Sequence, residues 1–259
     1  MKGMCFRLQK KSQSITNILI PTLFILFLLL LWESLSRFRI VDPLILPSFT
    51  DTIKAFIGDF KLLMNHLGYT LLEAFLGLSI GIALAFILSL LMDNSDILYK
   101  CFKPIIVLTQ TVPSVAIAPL LILWFGYDMT PKVILIVIIT FFPIAIGLLD
   151  AFKNVNPKEL DFFKSMNASR FQIYRYLKLP SARVNFFSGL KISLTYSIVG
   201  AVISEWLGGF HGLGVYMIRV KKAYAFDKMF AAIMLISVIS LLLMALCELL
   251  KKHFTKYLD

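Results

Sequence analysis

Few residues in this chain are spaced for chemistry. Its three histidines, His66, His211 and His253, are scattered without an HExxH or other metal-ligand spacing, so neither a metal centre nor a histidine general base is expected. Cys5, Cys101 and Cys247 are far apart and lie near or within apolar runs; they form neither a disulfide framework nor a thiolate site and read as inert. The glycines of residues 208–214 lack the Gly-Lys-Ser/Thr ending of a phosphate loop and follow an apolar run, not a strand. A compact turn is expected there, and the chain has no ATPase motif of its own. Glu73 lies one turn inside an apolar run and is expected to snorkel to the interface. The other apolar runs keep their charges at their ends, so ion coupling is not expected, and no catalytic residue or cofactor is assigned.

What remains is the chemistry of docking. Residues 156–180 are a long polar interruption between strongly apolar segments, yet they carry hydrophobic residues at helical spacing. Asn156 is placed to cap a helix that opens with Pro157, and Glu159 three residues on completes a capping-box pattern. Ser169 and Gln172 repeat that spacing, and Asn167 before them tolerates the left-handed conformation that ends one helix and starts another. Leu179 and Pro180 are expected to close the second helix. Two short helices and a bend are too small to bury Phe162, Phe163, Phe171, Tyr174 and Tyr176 unaided. With seven Lys and Arg against two acidic residues, residues 152–185 carry a net charge of +5.

The elements that must position this pair are membrane spans. Of 259 residues 59% are hydrophobic and 23 are Phe, far from the composition of a soluble domain. The formal charge of +11 sits in short segments flanking apolar runs, a topology pattern and not a nucleic-acid surface. Six spans are read at about 15–36, 69–92, 104–126, 132–150, 184–205 and 228–249, following a short terminal segment, 1–14. The first has no small-x-small site after it and is read as a retained anchor. Ile53, Phe56, Ile57 and Phe60 recur at helical spacing among charges and predict an interfacial amphipathic helix. Gly77 and Gly81 would let another helix approach closely. Pro113 and Pro119 are expected to bend the third span and, with Glu205 at the end of the fifth, are the candidates for lining a pathway. Loops 1–14, 93–103, 152–183 and 251–259 hold 16 Lys and Arg against 9 in the opposite set, so both termini and residues 156–180 are expected to face the cytoplasm.

The helix pair resembles the EAA loop of bacterial ATP-binding-cassette importer permeases, whose pattern is Glu-Ala-Ala, three residues, Gly, nine residues, Ile, one residue, Leu-Pro. Asp161, Phe162 and Phe163 stand at the Glu-Ala-Ala positions, Asn167 at the Gly and Leu177 at the Ile, while Leu179 and Pro180 match. Ala168 and Ser169 complete the bend. The likeness extends through Leu46-Pro47-Ser48, Pro119-Leu120, Trp124-Phe125-Gly126, Ser188-Gly189-Leu190, Glu205-Trp206-Leu207-Gly208-Gly209 and Gly212-Leu213-Gly214, which look like the nitrate, sulfonate and taurine branch, with similarity to importers of thiamine-precursor pyrimidines. The resemblance implies an all-α, polytopic permease of the type I importer fold in the inner membrane. It also implies a permease homodimer, two cytoplasmic ATPase subunits that bind the ATP and magnesium, and an extracytoplasmic solute-binding protein. An energy-coupling scaffold of a vitamin transporter is the nearest alternative, and a membrane-embedded enzyme a more remote one.

Overall fold

The computed structural model describes residues 2–256; the side chains of residues 1–18, with Cys5, Lys2, Arg7, Lys10 and Lys11 among them, lie outside the described residues. The described chain is helical throughout, without a strand. Its helices are α1 (Lys2–Arg37), α2 (Phe49–Gly58), α3 (Phe60–Asn94), α4 (Asp96–Thr111), α5 (Ser114–Phe125), α6 (Met129–Lys153), α7 (Pro157–Ser165), α8 (Arg170–Ile173), α9 (Leu179–Leu207), α10 (Leu213–Lys222) and α11 (Phe226–Thr255). Five stretches are long and apolar enough to cross a membrane: Leu19–Arg37, Phe60–Asn94, Met129–Lys153, Arg170–Leu207 and Phe226–Thr255. The apolar pair α4 and α5, which meet at 99°, is either a sixth, broken span or a re-entrant loop.

That angle departs from the single kinked span expected. The residue before a proline is pushed out of the helical region, and Val112 is accordingly extended, at φ −85° and ψ 121°. Pro113 supplies no N–H, so α4 ends and α5 starts afresh. Pro119 rides inside α5 without breaking it.

Residues 1–60 and 220–231 form one compact unit. Here Trp32 Nε1 donates to the Pro47 carbonyl at 2.9 Å and its ring packs on Phe49 and Phe230. Glu33 accepts from the Thr50 N–H at 3.1 Å, and Ser48 caps α2 by accepting from the Asp51 N–H, also at 3.1 Å. The Ser48 hydroxyl also donates to the Asp51 carboxylate, which holds that group below its usual value. Lys228 pairs with Asp59 at 2.9 Å.

The second unit, residues 61–219 and 232–259, holds the core. α9 runs antiparallel to α3 and α6, and close approach is made possible by small residues. A Cβ on Gly77 would strike Ile136, one on Gly81 would strike Thr140 Oγ1, and one on Gly189 would lie 2.6 Å from the Pro143 carbonyl oxygen. The Gly77 and Gly81 spacing thus serves packing between two helices of this same chain. Ser193 Oγ donates to the Thr140 carbonyl at 2.7 Å and Ser89 Oγ to the Ala145 carbonyl at 3.2 Å, which tie the helices across the interface. Leu78, Ala85, Ile144, Ala145, Leu148, Phe152 and Ala182 fill the space between. At the start of α9, Phe187 stacks on Phe254 of α11, and Lys191 pairs with Glu248 at 3.3 Å.

Candidate functional site

The bend at Asn167 is built from backbone hydrogen bonds that its sequence prescribes. Asn156 Oδ1 accepts from the Lys158 N–H at 3.0 Å with Pro157 in the first turn, but the expected capping box is not closed: Glu159 Oε1 accepts from the Asn156 side-chain Nδ2 at 3.4 Å, not from its backbone N–H. At the other end of α7 the Asn167 N–H donates to the Lys164 carbonyl at 2.9 Å and the Ala168 N–H to the Phe163 carbonyl at 3.0 Å. These two bonds are a Schellman closure, and Asn167 takes the left-handed conformation that it needs, at φ +54°. Ser169 then starts α8 with a reciprocal box: its N–H donates to Gln172 Oε1 at 2.7 Å and its Oγ accepts from the Gln172 N–H at 3.3 Å.

Leu179 and Pro180 do not close the second helix. The chain stays helical from Arg170 to Leu207, winding as a π-helix over Tyr174–Lys178. The Leu179 N–H reaches back to the Tyr174 carbonyl, so the hydrogen-bond ladder slips by one residue just ahead of Pro180, where no N–H exists. The proline is absorbed by that slip, and the second helix of the pair is one end of a candidate membrane span.

No residue of α7 is buried. Phe162 is 61% exposed, Met166, Phe171 and Tyr176 are also exposed, and Glu159, Asp161 and Ser169 face outward. Phe163, Ala168, Leu179 and Pro180 are half-buried, and Leu177 is buried. Asp161 pairs with Lys164 at 3.5 Å on the exposed face. The anchor is Asp93 at the end of α3: Lys178 Nζ donates to its Oδ2 at 2.6 Å and the Tyr174 hydroxyl donates to the same oxygen. The Tyr174 ring packs edge-on against Phe152. Sequence reasoning missed Asp93, whose position at the end of a long apolar run was its only signal.

The opposite ends of the same three helices hold a buried polar lock. His66, Thr70 and Glu73 lie on one face of α3, four and three residues apart. Three consecutive N–H groups that open α10 would be without helical partners. Gly212 donates to His66 Nδ1 at 3.1 Å, Leu213 to Thr70 Oγ1 at 2.9 Å and Gly214 to Glu205 Oε2 at 2.6 Å. The Thr70 hydroxyl donates to Glu205 Oε1 at 2.7 Å. Gly212 sits at φ +114°, and a Cβ there would overlap the Glu205 carboxylate. The expected compact turn is therefore folded onto the helix ends. Glu73 does not snorkel: its side chain is 4% exposed, and Lys132 at the start of α6, 6% exposed, donates to it at 2.6 Å. With a cation supplied inside the bundle, reaching for the interface gains the carboxylate nothing.

Of the pathway candidates, Pro113 lies at the break and lines a groove with Gln110 and Tyr196, Pro119 is exposed on α5, and Glu205 belongs to the lock. Among the described residues no cluster of His, Cys, Asp and Glu could hold a metal.

Five span-length apolar helices, a bent apolar pair that makes a sixth if it crosses as one span, and a capped, unburied helix pair on one end define a polytopic membrane protein. The chain belongs to the binding-protein-dependent transport system inner membrane component family, whose model matches residues 77–256. It is 35% identical over 223 residues to the formylaminopyrimidine transport permease ThiX of Halalkalibacterium halodurans, covering 86% of this chain and 89% of that protein. A probable ABC transporter permease of Haemophilus influenzae is 36% identical, over 88% of this chain and 93% of its own. Sulfonate, taurine and nitrate permeases are further relatives and place the chain in that branch. In fold it is similar to an inward-facing methionine ABC transporter structure, with a TM-score of 0.68 at 16% identity over 76% of this chain and 98% of the other. The chain is thus a multi-pass inner-membrane permease of the type I ABC importer fold.

Proposed function

We propose that this chain is the pathway-forming subunit of an ATP-driven importer of a small organic solute, a sulfonate, nitrate or thiamine-precursor pyrimidine among the candidates, and that residues 156–180 take up the stroke of a separate ATPase. The observation that carries this reading is α7, a capped helix with no buried residue and an outward-facing Phe162. Exposed aromatic surface on a rigid bend is what a partner's cleft covers.

On this reading both termini and the bend face the cytoplasm, two permease copies enclose the pathway, two ATPase subunits bind ATP and magnesium, and an extracytoplasmic binding protein delivers the solute. Closure of the ATPase pair draws the two bends together. Because α8 continues into α9 without a stop, the motion passes directly into a span. Pro113 shapes the pathway where α4 breaks, Pro119 lines it from α5, and Glu205 holds the outer end.

The test is Asn167. Replacing it with Val forces a β-branched residue into a left-handed conformation at about 1–2 kcal/mol, whereas Gly adopts it freely. Asn167→Val is expected to uncouple ATP hydrolysis from uptake in the assembled complex, and Asn167→Gly to preserve coupling. Normal uptake by an assembled Asn167→Val complex would remove the bend from the mechanism.

A further inference from the structure

We infer that a groove between α3 and α9 holds one acyl chain of an anionic phospholipid, with Arg183 at its mouth taking the phosphate. This goes beyond the importer reading and does not depend on which solute is carried.

The groove has a volume of about 200 Å³. Ile82 and Phe86 of α3 form one wall, Leu179 and Phe186 of α9 the other, and Leu148 of α6 the floor. Arg183 is the only polar side chain among the lining residues. Ile82 and Phe86 share a face of α3 with Ser79 and Phe75, both exposed, so the groove opens on the outside of the bundle. An apolar recess holds no water well, and left empty it deprives its lining atoms of contacts; a hydrocarbon chain supplies them. Its depth fits one leaflet. Lys178 and Asp93 tie the ends of α9 and α3 together at 2.6 Å. From Asp93 to Ile82 the helix rises about 16 Å, half of the ~30 Å hydrocarbon thickness of a bilayer.

At the mouth the positive charge is uncompensated. Among the described residues Arg183 has no acidic partner, and its one hydrogen bond is to the Phe254 carbonyl at 3.4 Å. That bond brings the end of α11, which carries Lys251 and Lys252, to the same rim. Asp93 and Glu248, at the ends of α3 and α11, are already paired with Lys178 and Lys191. A guanidinium presents parallel donors to phosphate oxygens while its stem lies along apolar surface. A phosphate on Arg183 with its chain in the groove satisfies both demands at once, and the surplus of cations favours an anionic headgroup over a zwitterionic one. Leu179, whose N–H closes the π-helical turn on Tyr174, is part of the wall, so whatever fills the groove bears on the joint between the bend and α9.

The experiment uses the full-length permease, freed of lipid in detergent and titrated with phosphatidylglycerol or with phosphatidylcholine of the same chains, the bound lipid being counted by native mass spectrometry. The parent is expected to retain phosphatidylglycerol at about tenfold lower concentration than phosphatidylcholine, the size of one charge-assisted hydrogen-bonding contact. Arg183→Gln is expected to lose that preference, and Lys54→Gln, which removes an exposed charge from the other compact unit, to keep it. Phe186→Trp puts a reporter in the wall without touching the charge, and the emission it adds is expected to be quenched by phosphatidylglycerol brominated along its chains. Inorganic phosphate, which lacks a chain, is expected to leave that quenching unchanged. Equal retention of the two lipids by the parent, or an undiminished preference in Arg183→Gln, overturns the headgroup assignment. Absence of quenching at residue 186, or photocrosslinking from that position to a second copy of the chain, overturns lipid as the occupant. Displacement of the lipid by inorganic phosphate makes Arg183 a site for a free anion and overturns the proposal as well.

Discussion

The two ends of α3, α6 and α9 are built on opposite principles. At one end His66, Thr70, Glu73, Lys132 and Glu205 are buried and bond to one another and to the N–H groups that open α10, with Glu73 Oε2 left as a buried oxygen without a hydrogen-bond partner. At the other end α7 buries nothing, and the bend is fixed by local caps, by the bonds of Lys178 and Tyr174 to Asp93 and by the buried Leu177. Buried polar networks resist rearrangement because any opened group is left unsatisfied in a low-dielectric interior. Surface helices held by caps keep their own shape but are free to move as a body. The difference suits a lever: a rigid handle on one end, a fixed fulcrum at the other.

The sharpest way to break that contrast is at the fulcrum. Removing one partner of a buried ion pair strands the other, at about 3–5 kcal/mol. Glu73→Ala or Lys132→Ala should therefore lower the thermal midpoint of the purified permease sharply, while Glu73→Gln with Lys132→Met should recover most of the loss. A Lys132→Ala protein as stable as the parent would mean the pair does not hold this end. The handle has a smaller counterpart. Asp93→Ala takes the acceptor from Tyr174 and Lys178, and hydrogen bonds to a charged group contribute about 1.5–3 kcal/mol. The loss should be local, read as faster amide exchange over residues 170–178 with the core unchanged. Global unfolding of Asp93→Ala would show that the handle is as deeply built in as the fulcrum.

The handle was legible in the sequence and the fulcrum was not, for one physical reason. Caps and bends are set by neighbours three to five residues away, so Asn156, Asn167, Ser169 and Gln172 announce themselves. Lys132 meets Glu73 across 59 residues and Glu205 meets Thr70 across 135, and no local pattern encodes such meetings. A lone acid in an apolar run therefore reads as a snorkelling side chain until its cation is found. The apolar runs disclosed the spans for the same local reason. Proline was misjudged in both directions, because its effect depends on its surroundings. Pro113 breaks a span, since Val112 turns extended ahead of it, while Pro180 is carried through by a π-helical slip that composition does not display.

The smallest effect on stability should come from the residue most central to the proposed docking. Phe162 is 61% exposed and its ring lies edge-on to that of the neighbouring Phe163, so truncating it removes little from the fold. Surface changes of this kind are usually within about 0.5 kcal/mol. An aromatic side chain seated in a partner's cleft is another matter, since its loss commonly weakens association by about 2 kcal/mol, roughly thirtyfold. Phe162→Ala should therefore leave the thermal midpoint of the isolated permease unchanged while raising the concentration of ATPase needed to form the complex. Asp161→Ala, which loses only an exposed ion pair with Lys164, should move neither by much. If Phe162→Ala instead unfolded the permease alone and left ATPase affinity intact, the ring would be a structural part of the bundle, and the division between a locked end and a free one would fail at its most exposed residue.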